Sequence, residues 1–215
     1  MFSDAFNYFA NTSIAEIFAV ITALAYVILA ARGNLWCWPA AMISTVLYTV
    51  IFYEYYLWSD SALQVYYFAM AVFGWFNWHK NKQLQQKQQH SEQIEIVSYG
   101  ANYHLKAIAI LSVLSLSLGM LMDNFTPTHF PYLDAATTVF AVFATYLVAK
   151  RVLENWLYWV IIDLVSIYLY HAKELNPTAV LFILYVVLAS LAYLNWRKIY
   201  IAQSPDSSLV NASIS

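Results

Sequence analysis

One acidic residue, Asp163, stands in the middle of a long apolar stretch of this sequence. It belongs to a set whose spacings of three and four residues place them on one face of a helix. The set consists of Trp156, Trp159, Asp163, Ser166 and Tyr170. A carboxylate at membrane depth costs about 2.5–3.5 kcal/mol on insertion scales, so it should face a cavity or a partner. Tryptophan rings around a carboxylate suit a flat, cationic, aromatic ligand, because the rings stack on the ligand and attract its charge.

Further candidates for the ligand site lie on other apolar stretches. Helical spacing groups Gln64, Phe68 and Trp75 in one stretch and Ser44 and Tyr48 in a second. Thr145 and Asn195 are candidates in other stretches, without such a grouping. Plainer interpretations exist. Asp163 can instead form a structural hydrogen bond between helices, and tryptophans near the ends of apolar stretches are typical of aromatic belts at membrane interfaces. The tryptophans in such positions are Trp36, Trp38, Trp78, Trp156 and Trp196.

The composition excludes most functions other than those of a membrane protein. Of the 215 residues, 62% are hydrophobic and only 10% are charged, against roughly 45–50% and 25% in a soluble domain. This is too little charge to cover a soluble enzyme, and a net charge of −2 leaves no basic patch for nucleic acid. One cysteine, five scattered histidines and four glycines predict no disulfide framework, metal centre or phosphate loop, and hence no cofactor. The sequence therefore predicts a polytopic membrane protein rather than an enzyme.

Hydropathy predicts an all-α membrane protein with seven transmembrane helices in a single domain, 1–215, because about 20 apolar residues cross the bilayer as a helix. The spans are 13–31, 36–53, 61–78, 106–122, 133–149, 154–170 and 177–196. The glutamine-rich stretch 80–99 is expected to be a solvated loop. Seven spans put the termini on opposite sides, and nine of the ten basic residues then fall on the C-terminal side. The positive-inside rule predicts a cytoplasmic C-terminus and an external N-terminus.

The first three and the last three spans resemble each other, which indicates an internal repeat. The matched positions are Ser44 with Ser166, Tyr26 with Tyr146, Trp36 with Trp156, and Asn-Trp at 77–78 with Asn-Trp at 195–196. This predicts a 3+1+3 parallel arrangement of repeat 1 (13–78), a linker helix (106–122) and repeat 2 (133–196), followed by a cytoplasmic tail (197–215). Parallel repeats are a transporter architecture, with the substrate near the midplane between them.

Five segments of the chain resemble the PnuC family of vitamin transporters. They are NLWCWP at 34–39, LQVYYF at 63–68, GWFNW at 74–78, LDAATT at 133–138 and ENWLYWVIID at 154–163. The resemblance covers nearly the whole chain, and its most specific part is Glu-Asn-Trp-x-x-Trp in the last segment. It implies a SWEET-like fold in the bacterial inner membrane, assembled as a homotrimer. It also implies facilitated diffusion of a vitamin, which a cytoplasmic kinase then traps by phosphorylation.

Members of that family carry nicotinamide riboside or, in the PnuT branch, thiamine, and both vitamins are planar cations. Two departures from the nicotinamide riboside pattern, the short Thr145 and the acidic Asp163, favour thiamine, because a carboxylate also satisfies its aminopyrimidine edge. We therefore expect an uptake facilitator for a cationic aromatic B-vitamin, with thiamine preferred and nicotinamide riboside as the alternative. A SWEET-type sugar facilitator is a more remote alternative. A membrane enzyme would need clustered His, Cys or carboxylate groups, which the sequence does not offer.

Overall fold

The computed structural model describes residues 14–54, 58–87, 94–126, 128–173 and 176–203. Regular structure within these ranges consists of seven α-helices and one isolated β-bridge. The helices are α1 (Ile14–Ala31), α2 (Cys37–Glu54), α3 (Trp58–Lys87), α4 (Ala101–Phe125), α5 (Pro131–Ala149), α6 (Asn155–Ala172) and α7 (Asn176–Ala202). The prediction of an all-helical protein with seven helices is confirmed.

The chain divides into two compact units, Met1–Ile94 and Glu95–Ser215. In the first unit, α2 packs against both α1 and α3. In the second unit, α5 packs against α4 and α6, while α7 packs against α6. Lys173, which caps the end of α6, binds both carboxylate oxygens of Asp134 in the first turn of α5, at 2.8 and 3.0 Å. This ion pair holds the beginning of α5 against the end of α6.

Four helices of the described chain are long and apolar enough to cross a membrane, namely α1, α4, α5 and the part Thr178–Ala202 of α7. Large apolar side chains on these helices face outward, as is expected where lipid replaces water around the protein. Helices α2, α3 and α6 fall outside this group because they are rich in tryptophan, tyrosine and polar residues. These three helices hold every candidate binding residue except Thr145 and Asn195.

The stretch 80–99 differs from the solvated loop that we predicted. Helix α3 continues to Lys87, because glutamine and lysine are good helix formers and no proline or glycine interrupts them. Near the other end of the stretch, Ile96 is buried and Val97 forms a parallel β-bridge with Val152. The prediction of a loop is therefore wrong for the residues up to Lys87 and for those around Val97. Residues 88–93 lie outside the described part of the chain.

Two further helices are longer than predicted. The linker helix, predicted at 106–122, is α4 and spans Ala101–Phe125. Helix α7 continues to Ala202, into the predicted tail 197–215, because its apolar and helix-forming residues run on past the Asn-Trp pair. The tail from residue 204 onward lies outside the described residues.

The turn from α1 to α2 has the same geometry as the turn from α5 to α6. Each passes through one residue with left-handed backbone, Gly33 with φ 66° and Arg151 with φ 62°. In each, the N–H of the next residue donates to the carbonyl five residues back, at 2.9 Å in the first turn and 3.0 Å in the second. This is the closing hydrogen bond of a Schellman helix end. Glycine adopts the conformation freely, whereas arginine is strained there by roughly 1–2 kcal/mol.

A buried edge-to-face tryptophan pair accompanies each of these turns. The rings of Trp38 and Trp78 lie 5.2 Å apart at 87°, and those of Trp156 and Trp196 lie 5.5 Å apart at 89°. All four side chains are buried, so they pack helices together within their own unit. The interpretation of these four as interface anchors is wrong, while Trp36, which is 66% exposed, remains compatible with anchoring.

These features recur at one constant separation along the chain. Positions 33 and 151, 38 and 156, and 78 and 196 are each 118 residues apart. The sequence pairing of 77–78 with 195–196 has the same separation. The other sequence pairings, Ser44 with Ser166, Tyr26 with Tyr146 and Trp36 with Trp156, miss this separation by two to four residues. At a separation of 118, Asp163 corresponds to Thr45. The acidic group therefore has no acidic counterpart in the first unit.

Candidate functional site

The Asp163 carboxylate is buried near the middle of α6, with 4% of the residue exposed. Within the described part of the chain, no protein group donates a hydrogen bond to it and none forms an ion pair with it. A buried charge is costly unless it is paired. Such a carboxylate is expected either to bind a group that does not belong to the described residues, such as a ligand, or to be protonated. This is the strongest feature of the candidate site.

The other residues predicted on the same face of α6 have different surroundings. Trp156 and Tyr170 are engaged by α7: Trp156 meets Trp196 edge to face, and Tyr170 stacks on Phe182 at 5.1 Å and 16°. The hydroxyl of Ser166 donates to the Ile162 carbonyl of its own helix at 2.9 Å. Ser166 and Tyr170 therefore already have partners in the protein. The ring of Trp156 is packed, but among the described residues its buried Nε1 has no hydrogen-bond partner.

Trp159 of α6 is half-buried. It packs against a buried apolar cluster of the second unit. The members of that cluster are Ala141, Ala144, Leu147, Val152, Tyr158 and Ile162. Trp159 lies one turn before Asp163, at the i, i+4 spacing that puts two side chains on one helical face. Trp159 and Asp163 are thus the pair on α6 best able to meet a flat cation.

Two candidates of the second unit lie on other helices. Thr145 of α5 is buried, and its hydroxyl donates to the Ala141 carbonyl at 2.8 Å. Asn195, near the end of α7, is exposed.

The five candidates of the first unit lie on α2 and α3. Ser44 is buried, and its hydroxyl donates to the Ala19 carbonyl of α1 at 3.2 Å, so it ties two helices together. Tyr48 stacks on Phe52 of its own helix at 5.4 Å. On α3, Gln64 is half-buried and Phe68 is 38% exposed. Ser44 and Tyr48 are therefore engaged in packing, whereas Gln64 and Phe68 present accessible surface.

Trp75 belongs to a short column of rings in the first unit. Its ring lies parallel to that of His79, at 6.1 Å and 9°, and meets Trp36 edge-on at 6.1 Å. Just before it, Gly74 allows α3 to approach α2 closely, because a Cβ at this position would lie 2.3 Å from the Trp38 ring. Trp75 is half-buried and retains surface on which a ligand can stack.

A cluster of polar residues that sequence reasoning missed surrounds Glu154, at the start of α6. The carboxylate accepts the hydroxyl of Ser98 and, at 3.3 Å, the backbone N–H of Tyr99. His104 lies with Nε2 3.6 Å from the carboxylate and with Nδ1 3.0 Å from the Tyr158 hydroxyl. The Glu-Asn-Trp motif was a signal for Glu154, but its partners are 50 or more residues away in sequence and no periodicity points to them.

Arg151 lies beside this cluster, in the turn between α5 and α6. Its Nη1 donates to the Glu95 carbonyl at 3.0 Å and lies 3.7 Å from the Glu95 carboxylate. Burial lowers the pKa of the Arg151 guanidinium, and the negative charge of Glu95 opposes that shift. Among the described residues, no group of three or more His, Cys, Asp or Glu side chains is arranged to hold a metal ion.

The sequence matches the family model of the nicotinamide mononucleotide transporter over residues 13–198. It is 26% identical to the nicotinamide riboside transporter PnuC of Escherichia coli (strain K12) over 184 residues, covering 74% of this chain and 73% of that protein. It is 22% identical to the PnuC protein of Neisseria mucosa over 188 residues, covering 84% and 71%. The riboflavin/roseoflavin transporter RibM of Streptomyces davaonensis is 24% identical over 166 residues, covering 77% and 76%.

The fold also matches a solved structure, the crystal structure of the vitamin B3 transporter PnuC. The two superpose with a TM-score of 0.73 at 20% sequence identity, over 94% of this chain and 88% of the other. At this level of identity the match establishes a shared fold.

Proposed function

This chain belongs to the nicotinamide mononucleotide transporter family, which includes the PnuC proteins, and from that premise we propose that it takes up nicotinamide riboside by facilitated diffusion. The choice of substrate is supported by the similarity to two PnuC proteins named for nicotinamide riboside, over more than 70% of the length of each. As a member of this family the protein is a membrane transporter of a small vitamin.

The proposed substrate is therefore nicotinamide riboside instead of thiamine, which the sequence had favoured. None of the relatives described above is named for thiamine. The chemistry of Asp163 does not separate these two vitamins, because both are planar cations that a carboxylate can neutralise. Riboflavin is a second candidate, supported by the likeness to RibM. The ring system of riboflavin carries no positive charge. Binding of riboflavin would therefore not explain why Asp163 is buried without a protein partner in the described chain.

The proposed binding groups are chosen for two properties: Asp163 has no protein partner among the described residues, and Trp159, Gln64 and Trp75 keep accessible surface. Asp163 neutralises the pyridinium ring, and Trp159 offers a face on which the ring stacks, worth about 0.5–2 kcal/mol. In the first unit, taken by itself, Gln64 and Trp75 are further candidates for polar and stacking contacts. Their support is half-burial together with accessible surface. Three hydroxyl groups already donate to backbone carbonyls and are proposed to support the helices instead of contacting the ligand. They belong to Ser44, Ser166 and Thr145.

The proposal includes a 3+1+3 arrangement of parallel repeats, with α4 as the linker. Its support is the constant separation of 118 residues between the matching turns and tryptophan pairs of the two units. We further propose an external N-terminus and a cytoplasmic C-terminus in the bacterial inner membrane, from the nine-to-one split of basic residues. A homotrimer and cytoplasmic trapping of the vitamin by a kinase complete the proposal, on the resemblance of the chain to PnuC proteins.

Uptake into liposomes tests this function. The purified chain is reconstituted, and entry of labelled nicotinamide riboside, thiamine, riboflavin and a hexose is measured side by side, with protein-free liposomes as the control. We expect saturable entry of nicotinamide riboside, about tenfold or more preferred over thiamine and riboflavin, and no entry of the hexose. Faster saturable entry of thiamine would restore the preference drawn from the sequence, and preferred entry of riboflavin would move the chain to the RibM substrate.

A further inference from the structure

A short segment ahead of α4 is fastened to the start of α6 by backbone hydrogen bonds. The N–H of Val97 donates to the Arg151 carbonyl at 3.0 Å, and the N–H of Leu153 donates to the Val97 carbonyl at 2.8 Å. The side chain of Gln203, just beyond α7, accepts the N–H of Ile96 at 2.9 Å. Ile96 and Leu153 are both buried. This strap, residues 96–99, is therefore a packed part of the second unit.

The Glu154 carboxylate completes the attachment of the strap. One oxygen accepts the hydroxyl of Ser98, and the other accepts the N–H of Tyr99 at 3.3 Å. His104, in the first turn of α4, approaches the same carboxylate to 3.6 Å. Glu154 immediately precedes α6, yet among the described residues its side chain makes no capping bond to that helix. The carboxylate therefore joins the beginning of α6 to the strap and to the beginning of α4.

The turn that the strap holds is strained. Arg151 has a φ of 62°, whereas glycine occupies the corresponding Gly33 in the other turn. A strained residue persists where its surroundings over-determine it. Here the surroundings are the bond from Arg151 to the Glu95 carbonyl, at 3.0 Å, and the bond from Val97 to the Arg151 carbonyl. The conformation of the turn is therefore specified by its attachment to the strap.

We propose that Glu154 is a positioning residue for the vitamin site, which it serves by fixing the first turn of α6. The same helix carries Trp159 and Asp163, five and nine residues further on. An α-helix is stiff along its axis, with a rise of 1.5 Å per residue, so a displacement at its first turn moves the later residues with it. The inference rests on the proposed function, since vitamin binding is the property that reports the position of Trp159 and Asp163.

The test is a titration of the purified full-length protein with nicotinamide riboside, followed by tryptophan fluorescence. Glu154→Ala should raise the Kd about tenfold or more, because small displacements of binding groups have large effects on productive geometry. Ser98→Ala should raise it only about two- to threefold, since Tyr99 still reaches the carboxylate. The double variant should bind no more weakly than Glu154→Ala alone, because both changes act through one contact.

Two variants serve as controls on this result. Glu154→Gln keeps one acceptor oxygen for the Ser98 hydroxyl, so its Kd should lie between those of the wild type and Glu154→Ala. Glu95→Gln removes a nearby carboxylate from the same segment, one that is 53% exposed and meets Arg151 instead of α6. Its Kd should stay within about twofold of the wild-type value.

Hydrogen exchange without ligand supplies a second readout. Exchange in the first turns of α6 should be faster in Glu154→Ala and unchanged in Glu95→Gln. A Glu154→Ala protein that is folded and binds as tightly as the wild type overturns the inference, even if its melting temperature falls. If this variant does not fold, Ser98→Ala and Glu154→Gln decide the matter in the same way.

An error in the proposed function can be told apart from an error in this inference, because it shows in the binding of the wild-type protein. If the wild type does not bind nicotinamide riboside, the proposed substrate is refuted. The same variants are then titrated with thiamine and riboflavin, and the positioning role is judged on the vitamin that binds. Absence of binding by all three overturns both proposals.

Discussion

Replacement of Asp163 by Asn tests the proposed site through two effects of opposite direction. Asp163 is 4% exposed, and among the described residues its carboxylate has no protein partner. Asn has nearly the same size and keeps a hydrogen-bonding oxygen, but it carries no charge. We therefore expect the variant to bind the vitamin cation more weakly while folding at least as well as the wild type.

The size of each effect follows from the burial of the group. A hydrogen bond to a charged group contributes about 1.5–3 kcal/mol, which corresponds to a rise in Kd of roughly ten- to 150-fold. An aspartate at the bilayer centre costs about 2.5–3.5 kcal/mol on insertion scales. Recovery of even 1 kcal/mol of that cost would raise the melting temperature by about 2–4 °C for a chain of this size.

The assay compares oxidised nicotinamide riboside, a cation, with its reduced form, whose dihydropyridine ring is neutral. Asp163→Asn should weaken binding of the oxidised vitamin by about tenfold or more and leave affinity for the reduced form within about threefold. Glu16→Gln, which changes an acidic residue in the first turn of α1, should alter neither affinity.

Two results would refute this account of Asp163. Equal binding of the oxidised vitamin by the wild type and the variant would remove Asp163 from the site. Equal losses for both ligands, together with a lower melting temperature, would instead assign Asp163 a structural hydrogen bond between helices.

Three further predictions concern the rings, the helix packing and the driving force. Trp159→Ala and Trp75→Ala should each remove much of the ligand-induced fluorescence quenching and weaken binding by about two- to thirtyfold. Replacement of either tryptophan by Phe should be partly tolerated. Quenching that survives both alanine changes would show that other rings line the site. Gly74→Ala should lower the melting temperature sharply, since its Cβ would lie 2.3 Å from the Trp38 ring and overpacking costs about 1–3 kcal/mol or more. Gly100→Ala places its Cβ in open space, with no atom within 4 Å, and should have a much smaller effect, limited to the helix N-cap. Equal effects of the two changes would contradict the packing argument. An inside-negative potential of about 100 mV should drive roughly fiftyfold accumulation of the vitamin cation in liposomes; accumulation that ignores the potential and follows a pH gradient would refute facilitated diffusion.

The number of helices and their approximate positions were predictable from the sequence, because long apolar runs and their polar interruptions are local properties. The same holds for the prominence of Asp163, since a lone acid in an apolar stretch is visible without coordinates. The family was also accessible, because Glu-Asn-Trp-x-x-Trp and the neighbouring motifs are contiguous in sequence. The extension of α3 to Lys87 was missed because hydropathy records where the apolar residues end, whereas a polar stretch of good helix formers continues the helix.

Helix rotation about its own axis was decided by the tertiary structure alone. Hydropathy treats Trp38, Trp78, Trp156 and Trp196 as interface residues, but each of them faces a neighbouring helix and is buried. The structure also shows which positions of the two units correspond, at a separation of 118 residues. Sequence similarity alone suggested this separation for one pair and 120 or 122 for three others.

Long-range contacts were also decided by the tertiary structure alone. Ser98 and Glu154 are 56 residues apart in sequence, and Ile96 and Gln203 are 107 apart. Neither pair shares a helical face, a repeat or a charge pattern that could be read along the chain. The free energy of such contacts depends on which buried surfaces the folded backbone brings together. The sequence by itself therefore determined a seven-helix protein with a buried acid in its sixth helix, and the folded chain determined what holds that helix in place.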